Sequence, residues 1–202
     1  MTKKKPEEVR RKEILDAALR CFSTKGYHDT RVDDIVRESG LTKGAIYWYY
    51  KGKRELFIAL IEQHLQEDKA LWKKLFEEYE LGPDLLIRAG LLYLRRHLED
   101  MLLSPFCAEF MAEAYRDEVI REKIHDLNNE WRDLIKEAFD RAVLEGTMKD
   151  FDTESLASTL IAIIMGLMNQ YWIGGRTMDY ERVWIRFSHA LLDGIRKEER
   201  DT

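Results

Sequence analysis

Apolar positions recur along almost the whole chain with the period of an α-helix. Ile14, Leu15, Ala18, Cys21 and Phe22 fall at i, i+1, i+4, i+7 and i+8, one face of a first helix, and Gly26 follows where a left-handed terminal residue is wanted. A second, short helix is predicted after Thr30, with Thr30 and Asp33 as a cap-like pair and Val32, Ile35 and Val36 as its apolar stripe, ending at Gly40. Thr42 offers a hydroxyl cap to a third short helix from Lys43 to about Tyr50, which Gly52 breaks.

The remaining segments are longer. A helix is expected from about Lys53 to Tyr79. Gly82-Pro83 stops it, and Asp84 caps the next, at about 85–102. Ser104-Pro105 reads as a break before a short helix at about 106–115. Another helix runs over about 118–145, with Ile120, Ile124, Leu127, Trp131, Leu134 and Ile135 on one stripe. Leu156–Ile173 is apolar nearly all round, and a last helix covers about Tyr180–Lys197. The 18 residues from Leu156 reach the lower limit for a membrane span. Ser158, Thr159, Asn169 and Gln170 within them, and Gly174-Gly175 directly after, argue against that. A helix apolar on every side must be covered on every side, by its own domain and by a second subunit. The pattern predicts an all-α chain of about nine helices, without internal repeats.

Composition narrows the class. With 45% hydrophobic and 35% charged residues, the 202-residue chain can bury a core, and 3 Pro and 11 Gly are too few for a turn-rich β fold. Cys21 and Cys107 stand far apart, which fits two reduced thiols in a cytoplasmic protein. The basic start, MTKKKPEEVRRKE, lacks the apolar run of a secretory signal. The net charge of −5 is unevenly spread: residues 1–54 carry 14 Lys/Arg against 8 Asp/Glu, and residues 55–202 carry 19 against 30. A basic first quarter on an acidic body suggests a nucleic-acid-binding end.

That end holds two short helices about a Gly-containing turn: VDDIVRESG, Gly40-Leu41, then TKGAIYWYY. This is the helix-turn-helix pattern, whose second helix enters the DNA major groove. Four aromatics cannot all be buried by so short a helix. Ile46 and Tyr50 are assigned to the core, and Tyr47, beside Lys43, Lys51 and Lys53, is assigned to DNA rather than packing. Thr30 and Thr42 carry two compatible readings, as helix caps and as markers of backbone amides open to phosphate.

The stretch from Gly26-Tyr27-x-x-Thr30 through LTKGAIYWYYKGKRELF resembles the DNA-binding region of the TetR (tetracycline-repressor) family of bacterial regulators. The matching features are the Gly-Tyr pair, the Thr, the Thr-Lys-Gly start of the third helix, Tyr47, an aromatic at 50, and Lys53 before Leu56 and Phe57. The resemblance covers about residues 10–58. It implies a homodimer with a helix-turn-helix domain at 1–52 and an effector-binding and dimerisation domain at 53–202. Carried over by position, Thr30, Thr42, Lys43, Gly44, Ala45, Tyr47, Trp48, Tyr49 and Lys53 are the expected DNA contacts. Ala45 departs from the polar base-reading residue of many members, so readout is expected to lean on methyl contacts and DNA shape.

For the second domain the resemblance implies an effector pocket among the middle helices. The candidate lining is His64, Tyr93, His97, Phe106, Phe110 and Met111, continuing with Trp131, Ile135, Met165, Asn169 and Trp172. This apolar, aromatic set suits a hydrophobic small molecule, although residues of these types at helical spacing also serve as plain packing. The dimer interface is expected on the last two helices, through Leu160, Ile164, Leu167 and Tyr171, then Val183, Phe187, Leu191 and Ile195.

The expected function is a ligand-responsive, sequence-specific transcriptional regulator, a repressor released from a palindromic operator by its effector. The alternatives are a helical adaptor or an enzyme-like small-molecule-binding bundle without DNA binding. No phosphate-binding glycine loop, nucleophile elbow or paired metal-ligand histidines stand in the sequence, and His64-x-x-Glu67 lacks a third ligand. No catalysis, metal, cofactor or membrane is therefore expected.

Overall fold

The structure is a computed structural model that describes residues 6–78 and 83–195. The expected turn at Gly82, the side chain of Asp84 expected as a cap, and the end of the last helix at Lys197 lie outside what it describes. Among the described residues there are nine helices: α1 (Glu7–Asp29), α2 (Val32–Ser39), α3 (Lys43–Tyr49), α4 (Lys53–Glu78), α5 (Pro83–Glu99), α6 (Leu103–Ala114), α7 (Glu118–Leu144), α8 (Thr153–Ile173) and α9 (Tyr180–Ile195). The chain forms two compact units. The first comprises residues 1–66 and 100–125, the second residues 67–99 and 126–202. Helices α4 and α7 each contribute to both.

In the first unit, Glu7 and Glu8 favour the positive end of α1, and its predicted face is buried through Ile14, Leu15, Ala18, Cys21 and Phe22. Gly26 interrupts the helix with φ +78°, a conformation that side chains rarely adopt. The Glu109 carboxylate fills the space where a Cβ would stand and accepts from the Tyr27 N–H at 3.3 Å. Phe22 of α1, Phe57 of α4, and Phe106 and Phe110 of α6 form one aromatic core, with Phe57 5.1 Å from Phe22 and Phe106 and 5.2 Å from Phe110. The break expected at Ser104-Pro105 is instead the first turn of α6. Asp100 Oδ1 accepts from the amides of Leu102 and Leu103, at 2.8 and 2.9 Å. Pro105 sits where a missing N–H costs nothing.

In the second unit, α5 packs against α8 and α9. The contact is set by Gly90, where a Cβ would come within 2.0 Å of the fully buried Trp184 indole. The indole N–H donates to the Ile87 carbonyl at 3.0 Å. Helix α8 begins at Thr153, ahead of the apolar run, because the Asp152 carboxylate accepts from the Ser155 amide at 3.0 Å and caps it. It is long and apolar enough to cross a membrane, yet only 17% of its most apolar window is buried within the chain. Ala157, Leu160 and Ile164 turn inward. Ser158, Ala162, Met165, Gly166, Asn169 and Ile173 form an exposed stripe at helical spacing.

Candidate nucleic-acid interface

Helices α2 and α3 meet about Gly40, which closes α2 in the left-handed conformation at φ 67°. Ile35 and Ile46 are buried, and Tyr50 is buried where α3 ends. Thr42 caps α3 as expected, its hydroxyl accepting from the Ala45 amide at 3.2 Å. With Ile46 fixing the inward direction, the 100° step of a helix points Gly44 and Trp48 directly outward, flanked by Ala45 and Tyr47. Trp48 is 82% exposed and Tyr47 46%. A Cβ added to Gly44 would meet nothing within 4 Å. Tyr49 is half-buried, with the Arg11 guanidinium 5.5 Å from its ring and 5.8 Å from that of Tyr50. Lys43 is exposed but pairs with Asp33 of α2 at 2.8 Å, which holds its ammonium pKa above the usual lysine value.

Thr30 departs from its expected role as the cap of α2, and Lys53 is engaged within the chain. Thr30 is buried, and its hydroxyl donates to the carbonyls of Cys21 and Gly26, at 3.2 and 2.7 Å. It ties off the end of α1 rather than capping α2. The cap pair lies one residue on, where the Arg31 amide donates to Asp34 Oδ2 at 2.9 Å. Asp34 also binds Lys25 at 2.8 Å and pairs with Arg37, so its pKa falls to about 2, led by the Lys25 hydrogen bond. Lys53 is likewise turned inward. Its Nζ donates to the carbonyls of Tyr27 and His28 at 2.6 and 3.0 Å and lies 4.5 Å from the Tyr27 ring centre, and partial burial lowers its pKa. The lysine neutralises the carbonyl end of α1. Arg11 and Asp33 lie beside this surface but escape sequence reasoning, because the rings of Tyr49 and Tyr50 and the Lys43 ammonium that they meet are on another helix.

The residues of the expected effector lining are divided between the two units. Phe106 and Phe110 are filled core of the first unit, which also holds His64 and Met111. In the second unit, His97 is buried and shares a hydrogen bond with Asp68 at 2.8 Å, while Arg96 pairs with the other Asp68 oxygen at 2.7 Å. Tyr93 stacks on His97 at 4.2 Å and meets the edge of Trp131, which in turn meets Trp72. Asn169, expected inside the bundle, is exposed on α8, as is Met165. Trp172 is half-buried beneath Arg176. The second unit does contain an apolar cavity of about 30 Å³, lined by Trp72, Phe76, Leu85, Leu86, Ala89, Ile135, Ala138, Phe139, Ala142 and Met148. Only Ile135 was anticipated there.

Of the expected interface residues, Leu160 and Ile164 are already covered within the chain. Leu167, Tyr171, Phe187, Leu191 and Ile195 are half-buried, and Val183 is exposed. Helix α8 is apolar on so much of its circumference that periodicity does not distinguish its inner from its outer face.

Two short helices about a tight turn, the second presenting unburied aromatics, define a helix-turn-helix DNA-binding protein. The chain belongs to the TetR family of bacterial regulatory proteins, whose N-terminal profile matches residues 14–60. Residues 89–196 match the C-terminal domain of BetI-type transcriptional repressors. An uncharacterized HTH-type transcriptional regulator of Bacillus subtilis, YfiR, is 31% identical over 145 residues, spanning 71% of this chain and 68% of that protein. The HTH-type transcriptional regulator AcrR of Shigella flexneri is 28% identical over 202 residues, covering 95% and 91%. Among solved structures, the SmeT–triclosan complex superposes with a TM-score of 0.79 at 25% identity, covering 94% of this chain and 93% of the other. FadR from Bacillus subtilis in complex with stearoyl-CoA shares the fold, with a TM-score of 0.80 at 19% identity and coverage of 91% and 98%. The protein is a transcriptional regulator of this family.

Proposed function

We propose that this regulator is a homodimeric repressor that binds a palindromic operator and leaves it when a hydrophobic small molecule enters the second unit. The outward face of α3 carries this reading: Tyr47 and Trp48 stay unburied, and Gly44 has no packing partner. Thr42, Lys43, Gly44, Ala45, Tyr47, Trp48 and Tyr49 form the contact surface. The functional division falls near residue 52, with α1–α3 for DNA and the rest for effector and partner. Cytoplasmic residence follows from the DNA target.

A second subunit accounts for the open stripe on α8 and for Val183 on α9. Ser158, Gly166 and Asn169 on that stripe suit another protein surface better than lipid. Twofold pairing would place two copies of α3 in successive major grooves, about 34–36 Å apart or slightly more. The aromatic second unit supports an apolar effector, and its 30 Å³ cavity must widen to admit one, since ligand pockets span about 300–1,000 Å³.

The test is a duplex selected from random-sequence DNA, followed by sedimentation and binding assays. Wild type should sediment as a dimer, and Val183→Glu as a monomer with lost operator affinity. Triclosan serves as the first effector probe. A wild-type monomer at micromolar concentration, or no enrichment of any sequence, overturns the proposal.

A further inference from the structure

The outward face of α3 has an unusual chemical inventory. Residues 41–50, LTKGAIYWYY, contain no Arg, Asn, Gln, Asp or Glu, the side chains that read a base edge with paired hydrogen bonds. The one charged group, Lys43, is held by Asp33 at 2.8 Å, and the Thr42 hydroxyl oxygen is engaged by the Ala45 amide. Gly44 and Trp48 stand four residues apart at the centre of that face, and Trp48 is 82% exposed. Among the described residues, nothing occupies the space beside Gly44. A large ring thus stands free beside a bare stretch of backbone. The indole N–H can make one hydrogen bond, which does not separate the four base pairs, whereas the ring face is a broad apolar surface.

The major groove offers one apolar feature, the 5-methyl group of thymine. We propose that this protein selects its operator chiefly through thymine methyl groups, with the Trp48 ring as the principal reading surface and Ala45 and Tyr47 beside it. The proposal rests on the reading that α3 enters the major groove. Gly44 lets the helix backbone approach closely enough for the ring to lie on the methyl. Specificity is then a matter of burying methyl groups, and phosphate contacts supply the sequence-independent part of affinity.

Deoxyuridine in place of thymine removes the methyl and leaves every hydrogen-bonding atom of the base. The full-length protein is used to select duplexes from a 40-base-pair random library, and thymines of the enriched duplex are then replaced one at a time. At one or more positions in each half-site the affinity should fall about fourfold per methyl, and about fifteenfold when symmetric positions are changed together. Trp48→Ala should abolish that penalty at the same positions while leaving the salt dependence unchanged. Trp48→Phe, which keeps a ring, should retain it. Thermal melting of both variants should match wild type, because the side chain is not packed. Uniform tolerance of deoxyuridine in a duplex that wild type still selects over random DNA overturns the proposal while leaving operator binding intact. A penalty that persists undiminished in Trp48→Ala overturns the role of Trp48. Failure to enrich any sequence overturns operator binding itself, and the proposal with it.

Discussion

The chain contains two glycine–tryptophan pairs on helices, and they behave in opposite ways. Gly90 and Trp184 come from different helices and press together until no atom could be added to the glycine, with the indole fully buried and its N–H bonded to Ile87. Gly44 and Trp48 share one helix and stay open: a Cβ on the glycine would meet no described residue within 4 Å, and the indole is largely in solvent. The first pair is explained entirely within the subunit. The second costs helix stability and exposes a large apolar ring, with no return inside the chain. Residues that the fold needs and residues that a partner needs can thus be separated by asking what lies beside them, even when their types are the same.

The comparison breaks most visibly at the buried pair. Trp184→Ala should destabilise the protein by about 3–5 kcal/mol in chemical denaturation. Gly90→Ala, which drives a methyl into the indole, should cost about 1–3 kcal/mol or more and lower the melting temperature. A melting curve for Gly90→Ala that superposes on wild type would show that α5 and α9 stand farther apart than described. At the open pair the loss moves from stability to binding. Tyr47→Ala should weaken operator binding by about 1–3 kcal/mol in an anisotropy titration, with an unchanged melting temperature. Gly44→Ala should leave stability equal or raise it by up to about 1 kcal/mol while lowering DNA affinity, so that the two readouts move in opposite directions.

The smallest effect concerns pH. Asp34 has a folded-state pKa of about 2, below the unfolded value of about 3.9. Its contribution to the α1–α2 junction is therefore complete above about pH 4 and lost as pH falls toward 2. Asp34→Asn should remove that part of the acid dependence, visible as a shallower loss of stability between pH 4 and 2.

How far the sequence discloses this division depends on the range of the interactions. Gly40, the Thr42 cap, the buried Ile46 and Tyr50 and the exposed Tyr47 and Trp48 were all legible, because each is decided within one helix and its turn. Thr30 was not. The run Thr30-Arg31-Val32-Asp33-Asp34 offers two cap pairs one residue apart, and the choice is made by carbonyls of α1 that claim the Thr30 hydroxyl. Lys53 reads as a free cation until the end of α1 is placed beneath it. Phe106 and Phe110 show that an aromatic spacing does not distinguish a filled core from a pocket wall, since that depends on Phe22 and Phe57 from other helices. Leu160 and Ile164 show the same for α8, whose nearly uniform apolarity hides which side faces in. The local pattern therefore revealed the caps, turn and buried and exposed faces of α2 and α3 more fully than the packing of the second unit.

The ion pair between Lys43 and Asp33 has a consequence for how the regulator would move through a cell crowded with polyanions. Because Lys43, the one lysine of α3, already pairs with Asp33, a phosphate meeting that lysine would have to compete with the carboxylate. An RNA or an arbitrary stretch of chromosome gains little from the exchange, whereas a site with the right shape recovers the loss through its other contacts. An exposed pair of this kind is weak, so it would trim the sequence-independent part of binding rather than forbid it.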